Sequence, residues 1–94
     1  MNVVVTPAAE ADLSEIAAHI EEDDPAAAAR WLDRMEGVVA GIRRLPRIGT
    51  DRSDVAPGAR LFPVGRYLVL YRIEPAAVVI LRIVHGARRW GDLV

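Results

Sequence analysis

A chain of 94 residues, 52% apolar and carrying a net charge of −1, is one small domain and falls outside the disordered class. No run reaches the roughly 18 to 20 consecutive apolar residues that span a bilayer, and no basic region with a cleavage site opens the chain. The absence of cysteine excludes disulfides and thiolate metal sites, so the expectation is a single domain over residues 1–94, cytoplasmic, without cofactor or metal.

Val3-Val4-Val5 read as a short opening strand. Thr6-Pro7 then supply an N-cap and a first-turn proline. Leu13, Ile16, Ala17 and Ile20 recur at helical spacing, with Asp12, Glu15, His19 and Glu22 assigned to the opposite, polar face. A helix over roughly 7–22 follows. Asp24-Pro25 repeats the cap-and-proline signal, and Ala28, Trp31, Leu32, Met35, Val39 and Ile42 step by threes and fours until Leu45-Pro46 ends a second helix. So short a link makes the two an antiparallel hairpin. Its core is expected to include Leu13, Ile16, Ile20, Trp31, Leu32, Met35 and Ile42.

Pro, Gly, Asp, Ser and Arg dominate residues 46–58, which read as a loop. Arg60 to Val64 form a strand marked as an edge by Pro63. Tyr67 to Ile73 and Val78 to Val84, separated by Glu74-Pro75-Ala76, read as an antiparallel pair. The order is β-α-α-β-β-β, an α+β fold with the helical hairpin packed on one face of a mostly antiparallel sheet. In the first of the paired strands Tyr67, Val69, Tyr71 and Ile73 point one way, and Leu68, Leu70 and Arg72 the other. Two helices cover one face, so Leu68 and Leu70 are expected to stay partly open to a partner.

Charge is distributed unevenly. Residues 1–36 hold nine acids against two arginines, or −7; residues 37–94 hold ten arginines against four acids, or +6. Every basic residue is Arg, which suits planar recognition of carboxylate or phosphate. A basic half suggests an acidic partner, a nucleic acid or an acidic protein segment. The second long strand ends in His85-Gly86-Ala87-Arg88, and polar residues bunched at a strand end are the best candidate site. His85 with Arg82, Arg88, Tyr67 and Arg66 has the composition of a metal-free ribonuclease, with His or Tyr as acid or base and Arg meeting phosphorane charge. The plainer reading packs His85 at the sheet end and leaves the arginines for acids of a partner. His19 is assigned to solvent. Ser14 and Ser53 lack a base in context, and two distant histidines make no metal motif.

Taken in order, several segments resemble the RelE/ParE family of bacterial type II toxins. They are Thr6-Pro7-Ala8-Ala9-Glu10-Ala11-Asp12-Leu13, the Asp24-Pro25 helix start, Leu45-Pro46-Arg47-Ile48-Gly49, Phe62 to Arg72, and Ile83-Val84-His85-Gly86-Ala87-Arg88. The resemblance covers nearly the whole chain. It implies a toxin neutralised by a cognate, ParD-like antitoxin in a hetero-oligomer; the charge asymmetry and the spare apolar face place the antitoxin segment on Leu68, Leu70, Arg72 and Arg60. It also implies one of two targets. RelE-like members cut mRNA on the ribosome without a metal; ParE-like members inhibit DNA gyrase. RelE-like sequences carry Arg where this chain has Leu68, and lysines that it lacks, so it looks closer to the ParE-like branch. On that branch no catalytic residue is expected, and Arg82, His85, Arg88, Arg89 and Trp90 serve target recognition.

Overall fold

The computed structural model describes residues 1–86. Its elements are β1 (Asn2–Val5), α1 (Pro7–Asp23), α2 (Pro25–Arg44), a 3-10 turn (Pro46–Ile48), β2 (Thr50–Asp51), β3 (Ala59–Val64), β4 (Tyr67–Ile73) and β5 (Ala77–His85). Both helix starts follow from local chemistry. Thr6 is extended and its Oγ1 accepts from the Ala9 amide at 3.1 Å, while Pro7 fixes the first turn. The same hydroxyl lies 2.9 Å from the Ile80 carbonyl and 3.0 Å from that of Leu81, which ties the start of α1 to β5. Asp24 ends α1 and caps α2, its Oδ1 accepting from the Ala26 and Ala27 amides.

The sheet order is β1-β5-β4-β3-β2. β1 pairs with β5 in parallel, Val3 opposite Val78, and every other pairing is antiparallel. The helical hairpin covers one face. Ala9 of α1 and Met35 and Ile42 of α2 pack with Val64, Val69, Tyr71, Val78, Ile80 and Ile83, and Leu13, Ile16 and Trp31 lie half-buried at the margin. Burying a side chain such as Ile42 fully contributes about 1.5–3 kcal/mol. Leu32 departs from the expected core. It is 43% exposed, on the rim of an open cavity over the seam between α2 and the sheet.

The second face is not open. β4 keeps the expected alternation, but Leu70 is completely buried with Ala59 and Leu61 under Val55 and Ala56. The segment read as a plain loop therefore folds over the sheet. Asp51 accepts from the Ser53 amide and hydroxyl, and Arg52 pairs with Asp54 at 2.9 Å. Backbone bonds from the Arg52 amide to the Ala59 carbonyl and from the Ala59 amide to the Ala56 carbonyl close the turn. β2 also displaces β3 from the sheet edge, though only at Arg60 and Leu61. Pro63 lies beyond that pairing, where its missing N–H costs nothing on the outer side.

Candidate functional site

β4 begins and β5 ends at the same pole of the molecule, because Tyr67 pairs with His85. The β3–β4 connection reaches this point through Gly65 at φ +59, a left-handed turn that glycine adopts without strain. Arg66 follows, exposed, and its carbonyl accepts from the Gly86 amide at 2.8 Å, closing β5 against the turn. The Tyr67 ring meets the Trp31 ring edge-on at a centroid distance of 5.5 Å, and His85 meets Tyr67 at 5.6 Å. Edge-to-face pairs of this kind orient an exposed ring at a gain of about 0.5–1.5 kcal/mol beyond burial. Trp31 Nε1–H is buried with no acceptor among the described residues.

His85, Tyr67 and Arg66 line a cleft of about 400 Å³ together with His19, Ile20, Asp23, Asp24 and Ala27 from the helical hairpin. His19, assigned to solvent from the sequence, thus stands at the same opening, 3.9 Å from Glu22. α1 starts after Thr6, tied to the middle of β5, and runs toward the His85 end, so its last turns reach the end of the sheet. The cleft mixes one arginine and two imidazoles with two carboxylates.

Arg82 does not join it. The β4–β5 register steps from Leu70 opposite Arg82 to Tyr71 opposite Ile80, leaving Leu81 as an extra residue. At this bulge Arg82 turns onto α1 and donates to Asp12 through Nε and Nη2, at 2.8 and 3.0 Å. Asp12 also accepts from the Ile83 amide at 2.9 Å. The carboxylate raises the Arg82 pKa further, chiefly through this hydrogen bond. The assignment of Asp12 to a solvated face is overturned: only 8% of the residue is exposed. The signal was present, since Asp12 stands three residues after fully buried Ala9 and four before Ile16, on the apolar stripe.

The residues expected to meet an antitoxin are also engaged within the fold. Arg60 donates to the Gly49 carbonyl at 2.7 Å, and Arg72 pairs with Glu74 at 2.6 Å. Leu68 is half-buried, and Leu70 is wholly enclosed, against the expectation that it stays open. Arg88, Arg89 and Trp90 lie outside the described residues. Among the described residues no three His, Cys, Asp or Glu stand together as metal ligands, and no helix is long and apolar enough to cross a membrane.

Comparison with known proteins agrees with this architecture. A solved structure titled as the chromosomal ParDE TA system from P. aeruginosa superposes with a TM-score of 0.77, covering 90% of this chain and 95% of that one at 24% identity. Toxin ParE3 of Caulobacter vibrioides is 48% identical over 59 residues, a match spanning 63% of this chain and 59% of that protein. A putative toxin, Y4kP of Sinorhizobium fredii, is 33% identical over 87% of this chain and 84% of its own length. The family described as ParE toxin of type II toxin-antitoxin system, parDE, matches residues 3–90. The chain belongs to the ParE toxin family.

Proposed function

We propose that the protein is the toxin of a type II toxin-antitoxin pair, arresting growth in the cytoplasm by binding DNA gyrase and held inactive by its cognate antitoxin. Membership of the ParE family supports the toxin reading, and the charge arrangement at the His85 pole supports recognition over catalysis. Metal-free phosphodiester cleavage needs several cations and an acid–base pair around one phosphate. Here Arg82 is bound to Asp12, Leu68 takes the strand position of the nucleolytic Arg, and Asp23 and Asp24 share the cleft with His85. Two carboxylates beside a phosphate oppose it. They suit a protein surface bearing both signs of charge.

A ribosome-dependent endoribonuclease is the competing reading, because His85, Tyr67 and Arg66 do share one cleft. The antitoxin is proposed to cover the basic half of the toxin at Leu68, Arg72 and Arg60, reaching Leu70 only where the overlying loop yields. Induction of the toxin, followed in parallel by primer extension on translated messages and by a supercoiling assay with purified gyrase, decides the target. Inhibited supercoiling with intact messages is the expected result. Codon-dependent cuts that vanish in His85→Ala, with gyrase unaffected, would establish the ribonuclease.

A further inference from the structure

The cleft at the His85 pole holds two charges of opposite sign that the fold leaves unused. Its other acid and the acid beside it are engaged. Asp24 caps α2, its Oδ1 accepting from the Ala26 and Ala27 amides, and its Oδ2 stands 3.8 Å from Arg30. Glu22 stands 3.9 Å from His19. Asp23, the last residue of α1, has no hydrogen bond or ion pair among the described residues. The Arg66 guanidinium, on the turn between β3 and β4, has none there either. Both residues are exposed, and both line the same cleft of about 400 Å³.

The free acid belongs to the helical hairpin and the free base to the sheet. Arg34 of α2 adds to the basic side, since a Cβ on Gly65, next to Arg66, would stand 3.5 Å from its Nη1. An arginine within reach of a carboxylate closes onto it, as Arg82 does onto Asp12. Arg66 and Asp23 stay apart instead. Each presents its charge to whatever enters the cleft.

We propose that the cleft takes a surface segment of the target protein that carries a basic and an acidic side chain close together, the base meeting Asp23 and the acid meeting Arg66. The inference rests on the gyrase-binding reading of this pole and names the chemistry that the pole recognises. A carboxylate matches the planar fork of Arg66, and a lysine or arginine matches Asp23. Other occupants fit less well. A nucleic acid presents phosphate, which Asp23 and Asp24 oppose. A small zwitterion would lie open to water, because five of the eight residues lining the cleft are exposed, and small-molecule sites enclose most of their ligand. A protein surface covers such a cleft from outside. Charges at an open rim act chiefly on the rate of association and on the choice of partner, and salt weakens them.

The test uses the full chain and purified gyrase, with Asp23→Asn, Arg66→Gln and the exchanged pair Asp23→Arg with Arg66→Asp. Both positions are exposed, and melting of each variant near wild type checks that the fold is kept. In a supercoiling assay each single variant is expected to need about fivefold more toxin, or more, for half inhibition. Inhibition by the wild type is expected to weaken as salt is raised. The exchanged pair separates recognition of the target from attraction within the toxin. Exchange reverses both charges that meet the target, so its loss exceeds that of either single variant. It keeps the attraction between positions 23 and 66, so inhibition restored to wild type in the exchanged pair would overturn the proposal. Full inhibition by both single variants would overturn it too. So would ribosome-dependent RNA cutting that strengthens in Asp23→Asn while gyrase inhibition is unchanged, which would assign the cleft to phosphate. A wild-type chain that leaves gyrase untouched would remove the gyrase reading itself, and this inference with it.

Discussion

The Tyr71 hydroxyl joins β4 to a turn more than 20 residues earlier in the chain. It donates to the Pro46 carbonyl at 2.6 Å and accepts from the Gly49 amide at 2.8 Å, so β4 holds the turn that leads into β2. Residue 49 must be glycine here, because a Cβ would stand 2.6 Å from the phenolic oxygen. Burial raises the Tyr71 pKa above its ordinary 10.0, outweighing the opposing effects of the Gly49 amide and of Arg60. A raised folded-state pKa stabilises fully below the unfolded value, and the contribution is lost as pH climbs through the folded one. Tyr71→Phe is therefore expected to cost about 1–3 kcal/mol at neutral pH by orphaning the Gly49 amide. Denaturant titrations across pH 8 to 11 check it: the gap between wild type and variant narrows above pH 10, and a constant gap would contradict the assignment. Asp12 shows what single residues hide in a sequence. Its charge placed it in solvent by type, while its spacing from Ala9 and Ile16 placed it on the buried stripe. The partner that reconciles the two is Arg82, 70 residues away, and a bulge that no local pattern announces turns it there.

Among the elements, the helices were legible and the minor strand was not. Thr6-Pro7 and Asp24-Pro25 each carry a capping oxygen and a fixed φ, so local chemistry sets both helix starts. β2 comprises Thr50 and Asp51 alone, too short for any periodicity, and exists because Tyr71 and Arg60 hold the chain before it. The parallel pairing of β1 with β5 escaped for a similar reason, since four residues of valine-rich chain do not specify a direction. The segment after β2 closes the second face of the sheet over Leu70, and its effect on energetics separates two leucines of equal size. Leu70→Ala leaves a cavity beneath Val55 and Ala56 and is expected to cost about 2–5 kcal/mol. Leu32→Ala, at 43% exposure, is expected to stay near or below about 1 kcal/mol. Denaturant midpoints of the two variants give the comparison, and equal losses would mean that the segment does not cover Leu70 in solution.

At the scale of the molecule, stability and the proposed activity occupy different places. The core is concentrated where α2 crosses β3, β4 and β5, around Met35, Ile42, Val69 and Tyr71, whereas His85 stands exposed at the sheet end beside Arg66. A domain this small has a total stability of about 5–15 kcal/mol, so a core truncation reduces the folded population and every function with it. His85→Ala removes an exposed ring and one edge-to-face contact with Tyr67, a loss of about 0.5–1.5 kcal/mol. The two substitutions are therefore expected to diverge. Ile42→Ala, at 1% exposure, costs about 2–5 kcal/mol, and its toxicity falls in proportion to the fraction unfolded. When assayed well below its melting temperature, it inhibits gyrase as wild type does. His85→Ala loses less melting temperature than Ile42→Ala and yet inhibits purified gyrase less at every concentration. Melting curves and supercoiling assays on the same preparations supply both readings. If His85→Ala inhibits gyrase at full strength, the pole where β4 begins and β5 ends is not the surface that meets the target. Recognition must then lie elsewhere on the chain.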